Sequence, residues 1–326
     1  MGSRRVEVGR LMRFGVIFPG QGSQALGMGV DLAANSAVAR DLFERANAVL
    51  GYDLLALQKN GPEEKLRETQ YSQPAIFTTN VALFATLELP DDAVVVSAGH
   101  SFGEYCSLYI AGAIGFEDAL RVVNARGIAM QYAAELAPGG MSAVLGMSAD
   151  EIRRIVEQTR ASTGLRVQLA NFNSPSQIVI SGDLEGVRAA GDAMLEAGAK
   201  RVVPLNVSGA WHSALMEPAV PRFTPVVDSV AFTLPRFDVI SNVDAQPYRD
   251  PATIREHLIR SLTHEVRWHE TAQKLLAYDL DRVIECGASA VLGPLMKRLD
   301  GAPDVSVVSD FASALRQAQD DRIKSR

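Results

Sequence analysis

Ala93-Val94-Val95-Val96-Ser97-Ala98, followed by Gly99-His100-Ser101-Phe102-Gly103, is the stretch that decides the fold. Its first six residues are an apolar run rich in β-branched side chains, which reads as a strand covered on both faces. The next five match G-x-S-x-G, and a helical pattern runs on from there to about Ala113. Strand, tight turn and helix in that order make a nucleophile elbow, where small residues two positions either side of the Ser permit a strained backbone. Ser101 would then present its hydroxyl at the carboxyl end of the strand. The five-residue pattern alone also fits a plain Gly-rich turn; the flanking strand and helix favour the nucleophile.

Outward from this stretch the same rhythm repeats. Residues 14–18 read as a short buried strand ended by Pro19-Gly20-Gln21-Gly22-Ser23-Gln24, with helical patterns continuing to about Leu87. Another helix is expected from Phe116 to about Leu136. Such repetition points to an α/β fold with a parallel sheet, resembling an α/β-hydrolase core. The middle of the chain differs. Residues 141–147, 167–172, 177–181 and 201–205 read as strands, and 148–160 and 183–197 as helices, the first opened by Ser148 and Glu151 at capping-box spacing. That β-α-β-β-α-β order is a ferredoxin-like unit. Strands near 237–240 and 281–285 return to the α/β pattern. The expected organisation is a large α/β domain written as 12–134 and 208–315, with a small ferredoxin-like subdomain inserted at 135–207. Residues 1–11 read as an N-terminal extension, with Met1-Gly2-Ser3 resembling an appended tag, and 316–326 as a polar tail.

Composition narrows the function. The chain has 326 residues and a net charge of −6, which argues against a general nucleic-acid binder. No apolar run approaches the roughly 20 residues needed to cross a bilayer, so no membrane partner is expected. Cys106 and Cys286 are too few for a disulfide framework or a four-thiolate zinc site, which fits a reducing cytoplasm.

A Ser nucleophile needs a base, and the chain offers five His. His100 lies inside the elbow, with its side chain expected to point away from Ser101. His257, His264 and His269 fall in a charged helical pattern or beside a polar turn, where surface or capping roles are expected. His212 follows Val207-Ser208-Gly209-Ala210-Trp211, a small-residue loop from which a side chain can project into a cleft. Position alone leaves a structural His as reasonable there as a catalytic one. Arg126 sits in an apolar helical stretch, where a solvated Arg and a buried carboxylate binder are equally open readings.

Six motifs in order carry a resemblance: FPGQGSQ at 18–24, GHSFGEY at 99–105, ARGIAMQ at 125–131, FNSPSQIVISG at 172–182, SGAWHSALMEPA at 208–219 and SNVDA at 241–245. Together they resemble the malonyl-CoA:acyl carrier protein transacylases of fatty-acid synthesis, to which the acyltransferase domains of polyketide synthases are related. The resemblance runs from about Met12 to about Arg298. It implies that Ser101 is the acylated nucleophile and His212 its general base. The backbone carbonyl of Ser261, in place of an Asp, would orient His212. The backbone N–H groups of Gln21 and Phe102 would form the oxyanion hole. Arg126 would bind the malonyl carboxylate, for which a planar guanidinium is a geometric match. Gln73 and Asn242 would be supporting polar positions.

Two departures from the family pattern bear on the acyl pocket. Phe102 replaces the usual Leu, which would alter the pocket wall, and Trp211 precedes the presumed base, where its bulk would disfavour an α-methyl branch. Cys286-Gly287-Ala288-Ser289 also replaces a Gly-Pro-Gly type of turn. The reaction implied is malonyl transfer from malonyl-CoA to the phosphopantetheine thiol of acyl carrier protein, with CoA and phosphopantetheine as substrates and no resident cofactor or metal. Alternatives are a trans-acting polyketide synthase acyltransferase or an α/β-type serine hydrolase. A monomer is expected. An acidic carrier protein would need a locally basic surface, with Lys200-Arg201 and Lys297-Arg298 as candidates.

Overall fold

A computed structural model describes residues 12–324; the expected extension at 1–11 lies outside the described residues. The strands, in chain order, are β1 (Phe14–Phe18), β2 (Val94–Gly99), β3 (Gly139–Leu145), β4 (Val167–Ser174), β5 (Gln177–Asp183), β6 (Arg201–Pro204), β7 (Asp238–Ile240), β8 (Arg282–Cys286) and β9 (Val305–Val308). They form a five-stranded sheet, β7-β2-β1-β8-β9, and a four-stranded sheet, β4-β5-β3-β6. The first is parallel throughout and the second antiparallel throughout.

The parallel sheet explains the apolar runs. β1 and β8 are buried along their whole length, and β2 has five of its six residues buried. A strand covered by helices on both faces has no polar side to show, so its sequence cannot alternate. Helices Thr69–Thr86 and Gly103–Ile110 pack on the sheet on the side of the main core, and Phe116–Leu136 packs over them. Trp268, Ala272 and Leu275, on the helix Trp268–Leu276, join Ile17, Val96 and Ile240 in a second core. The helix Phe116–Leu136 crosses Thr69–Thr86 closely at Gly127, where a Cβ would come within 2.7 Å of the Thr69 carbonyl oxygen. The neighbouring Arg126 is thereby held at fixed depth.

The antiparallel sheet has its own core, with Ile152, Ile155 and Val156 of the helix Ala149–Thr163 packed against Val167, Ile178 and Ile180. That helix opens on the capping box formed by Ser148 and Glu151. The sheet occupies 139–204. It is tied to the large domain through β4: Phe172 N–H donates to the Val266 carbonyl at 2.9 Å, and Val266 N–H to the Ala170 carbonyl at 2.8 Å. The small sheet therefore meets the large domain along the segment that follows Ser261.

Two expectations differ from the structure. Residues 316–324 are not an irregular tail but continue the helix Phe311–Lys324. Asp310 and Ser313 cap its start through a 2.6 Å bond from Ser313 N–H to the Asp310 carboxylate, and Ala314 and Gln317 are buried beneath it. Residues 325–326 lie outside the described residues. His257 is not a surface residue; it is 8% exposed, its Nδ1 lies 2.9 Å from Ser241 Oγ, and its ring stacks at a tilt on Tyr248. Helices Val220–Asp228 and Trp268–Leu276 and strand β9 complete the large domain without a clear signal in the sequence. Among the described residues no helix is long and apolar enough to cross a membrane.

Candidate active site

β2 ends at Gly99, and the helix Gly103–Ile110 begins four residues later. Ser101 at the apex has φ +53°, the left-handed region, which costs a non-Gly residue about 1–3 kcal/mol. The turn needs its two glycines. A Cβ on Gly99 would lie 1.9 Å from the Gly103 carbonyl carbon, and one on Gly103 would lie 2.3 Å from the Phe18 carbonyl oxygen. The backbone is folded so tightly that only hydrogen fits at either position. Asn242 secures the turn from β7's side: its Oδ1 accepts from Ser101 N–H at 2.9 Å, and its Nδ2 donates to the Gly99 carbonyl at 2.6 Å.

Ser101 Oγ lies 2.8 Å from His212 Nε2. On the other side of the ring, His212 Nδ1 is 2.7 Å from the Ser261 carbonyl oxygen. A carbonyl can only accept, so Nδ1 carries the proton and Nε2 is the free acceptor facing the Ser101 hydroxyl. Burial first, and then the Arg126 charge, lower His212 to about pKa 3, while the bond to Ser261 opposes the shift. His212 is therefore neutral at pH 7, the protonation state of a general base. Like Ser101, it has a left-handed backbone, φ +58°. Gln168 holds its loop, donating to the carbonyls of His212 and Thr263 at 3.3 Å each and accepting from Ala214 N–H at 3.0 Å.

Arg126 is 1% exposed, and its Nη2 donates to Ser101 Oγ at 3.2 Å. Its buried Nε has no hydrogen-bond partner, and no carboxylate comes within 4.0 Å of it among the described residues. Burial disfavours its cation, with Tyr105 and then Glu104 opposing that shift. A guanidinium kept this dry and without a carboxylate partner is set up to receive an anion from a ligand.

Ser101, His212 and Arg126 open on one cavity of about 390 Å³, within the usual range for small-molecule sites. It lies between the two sheets, with Gly20 and Gln21 from the first Gly-rich turn, Val179 from β5 and Leu292 beyond β8 on its walls. Trp211 lines it. Phe102 does not: its side chain is fully buried in the main core, so the Leu-to-Phe departure leaves the cavity wall untouched. The N–H groups of Gln21 and Phe102 donate to no backbone or side-chain acceptor among the described hydrogen bonds. Gln73 does not line the cavity; it is buried and donates to Thr69 Oγ1 at 3.0 Å, and Thr69 in turn donates to Gln21 Oε1 at 3.0 Å. His100 lines the same cavity, its Nε2 2.9 Å from Asn173 Oδ1 and not on Ser101. Of the two basic pairs, Arg298 reaches the cavity mouth, whereas Lys200 packs against Gly146 on the small sheet.

Sequence reasoning did not single out Gln168, Asn173 or Glu104. Asn173 stands in a quoted motif, yet nothing in its spacing distinguishes it from a turn residue. Gln168 is one polar residue in an alternating strand, and only the fold brings it to the His212 loop.

A strained Ser on an α/β elbow, paired with a neutral His and a buried Arg, defines the acyltransferase class of serine enzymes. The acyl transferase domain family matches the chain over residues 16–318. The chain is 40% identical over 304 residues to the malonyl CoA-acyl carrier protein transacylase of Salmonella typhimurium, covering 93% of this chain and 98% of that one. The structure superimposes on the corresponding enzyme from Coxiella burnetii with TM-score 0.90 at 37% identity, covering 95% and 98% of the two chains. It superimposes with TM-score 0.89, at 40% identity and over 94% and 99%, on a malonyl-transacylase solved in complex with its holo type II polyketide synthase acyl carrier protein. The chain belongs to the malonyl CoA-acyl carrier protein transacylase family.

Proposed function

We propose that this protein moves a malonyl group from malonyl-CoA to the phosphopantetheine thiol of an acyl carrier protein, through an ester on Ser101, and so supplies extender units for fatty-acid synthesis. The observation that carries the reading is Arg126, buried without a carboxylate partner and touching the nucleophile. An acetyl group has nothing to offer that cation. A malonyl group brings one carboxylate, placed three carbons along from the sulfur, and Arg126 fixes it while the thioester carbonyl lies over Ser101.

The steps follow from the geometry. His212 Nε2 takes the Ser101 proton as Oγ attacks the thioester carbonyl. The resulting oxyanion is received by the N–H groups of Gln21 and Phe102, donors that are otherwise free. The C–S bond breaks, and the imidazolium returns its proton to the departing CoA sulfur. The carrier-protein thiol then gives its proton to His212 and attacks the ester, and Ser101 leaves with that proton. Ser261 stabilises the imidazolium at each pass, since its carbonyl holds the Nδ1 proton.

CoA and phosphopantetheine are substrates here, and no step calls on a resident metal or cofactor. One chain supplies every group named, so a monomer suffices. Two unpaired, buried cysteines accord with a cytoplasmic location. Arg298 at the cavity mouth favours the 297–298 pair over 200–201 as the contact for an acidic carrier. A polyketide carrier in place of a fatty-acid carrier would leave the chemistry unchanged, and the complex of the polyketide transacylase keeps that reading open.

The test is intact-mass analysis of the protein with malonyl-CoA, before and after adding holo acyl carrier protein. A malonyl adduct that discharges onto the carrier supports transfer. Release of free malonate without an adduct or a loaded carrier would instead assign a hydrolase.

A further inference from the structure

Beneath the elbow is a buried acid that the reaction above does not use. Glu104 lies three residues after Ser101, in the first turn of the helix Gly103–Ile110, and is 2% exposed. Its carboxylate accepts from two donors that both belong to the 241–248 loop after β7. Asn242 N–H donates to Oε2 at 3.3 Å, and the Tyr248 hydroxyl donates to Oε1. Asn242 is the residue whose amide grips both sides of the elbow, at Ser101 N–H and the Gly99 carbonyl. The Glu104 carboxylate thus fixes the backbone of Asn242, and the Asn242 side chain fixes the turn that carries the nucleophile.

We propose that Glu104 is a positioning residue for Ser101, acting through Asn242. The chemistry explains the choice of an acid. Two donors converge on it, and a carboxylate can accept at both of its oxygens without offering a competing N–H. The cost is burial of a charge, which raises Glu104 to about pKa 7 against the opposing bonds from Tyr248 and Asn242 and the nearby Arg126 cation. Asp244 and Tyr105 are the other titratable groups that interact with it. A buried acid with that cost and no contact with the cavity is accounted for by the strain it restrains: Ser101 sits at φ +53°, and an elbow released from Asn242 can relax away from His212 and Arg126.

This inference rests on the acyl-transfer reading, so wild-type protein is measured alongside the variants. Glu104→Ala and Asn242→Ala are each predicted to slow Ser101 acylation in single turnover by roughly tenfold or more, equally for malonyl-CoA and acetyl-CoA, with little change in KM. The double variant is predicted to be no slower than the slower single one, because both substitutions cut the same connection. Glu104→Gln keeps the volume and one acceptor and should fall between wild type and Glu104→Ala; it decides the matter if Glu104→Ala does not fold. The proposal is overturned if Glu104→Gln acylates at the wild-type rate, if the single effects multiply in the double variant, or if the loss appears only in KM for malonyl-CoA. Wild-type protein that forms no adduct would overturn the acyl-transfer reading itself.

Discussion

Arg126 Nη2 lies 3.2 Å from Ser101 Oγ, so the cation proposed to recognise a substrate carboxylate also touches the proposed nucleophile. Recognition and reactivity are joined at one atom pair. The guanidinium donates to the Ser101 hydroxyl, and its charge helps to hold His212 low. A carboxylate bound there would take up part of its donors and offset part of that charge.

Replacing Arg126 should therefore discriminate between substrates. Arg126→Ala is predicted to lose malonyl transfer by about 2 kcal/mol or more relative to acetyl transfer, the scale of a charge-assisted bidentate contact. Steady-state kcat/KM for the two CoA thioesters measures it. Equal losses for both would remove Arg126 from carboxylate recognition.

His212 makes a prediction about stability. Its folded value, about 3, lies below the 6.5 of an ordinary His. The neutral ring it favours contributes fully above pH 6.5, and that contribution is lost as pH falls from 6.5 toward 3, because the unfolded chain takes up the proton first. Urea unfolding at pH 7 and pH 4.5 should show a larger stability drop in wild type than in His212→Gln. The same drop in both would mean that His212 is not held neutral by the fold.

Trp211 should gate the α-carbon of the acyl group. It lines the cavity next to the base in sequence, and its ring packs against Gly209. Trp211→Ala should raise the ratio of methylmalonyl to malonyl transfer, at a stability cost of about 3 kcal/mol for the lost aromatic burial. An unchanged ratio would place the selectivity elsewhere. Phe102, sealed in the core, is predicted to leave this ratio alone when changed to Leu.

Gly127 tests the support under Arg126. Gly-to-Ala normally favours a helix by about 1 kcal/mol. Here the added methyl would meet the Thr69 carbonyl oxygen at 2.7 Å, so Gly127→Ala should instead destabilise by about 1–3 kcal/mol and weaken malonyl selectivity. A stabilised variant with full activity would show that the helices can part freely.

The sequence was most informative where backbone strain demands a residue type. Gly99 and Gly103 are needed because their neighbours leave no room for a Cβ, and that requirement is visible as a motif. Buried parallel strands likewise announce themselves as unbroken apolar runs, as β2 does. His212 was open on position alone; the order of the family's motifs singled it out, and the fold brings it to Ser101 across 111 residues. Phe102 shows the limit in the other direction. Its N–H and its side chain point to different surroundings, and sequence cannot tell which of them a substitution affects. Glu104, Gln168 and His257 were illegible because each is a polar residue whose partners lie on distant segments. A charged helix pattern cannot reveal that His257 is roofed by Tyr248. The helix Phe311–Lys324 is hard to read because, among its described side chains, two of the three buried ones, Ser313 and Gln317, are polar and leave no apolar stripe.

The most direct test of the account is to locate the acyl group. After brief exposure to malonyl-CoA, acid quench and proteolysis, tandem mass spectrometry should place a single malonyl ester on Ser101, with none formed in Ser101→Ala and very little in His212→Ala. A malonyl group found on another residue, or an adduct that persists in Ser101→Ala, would contradict it.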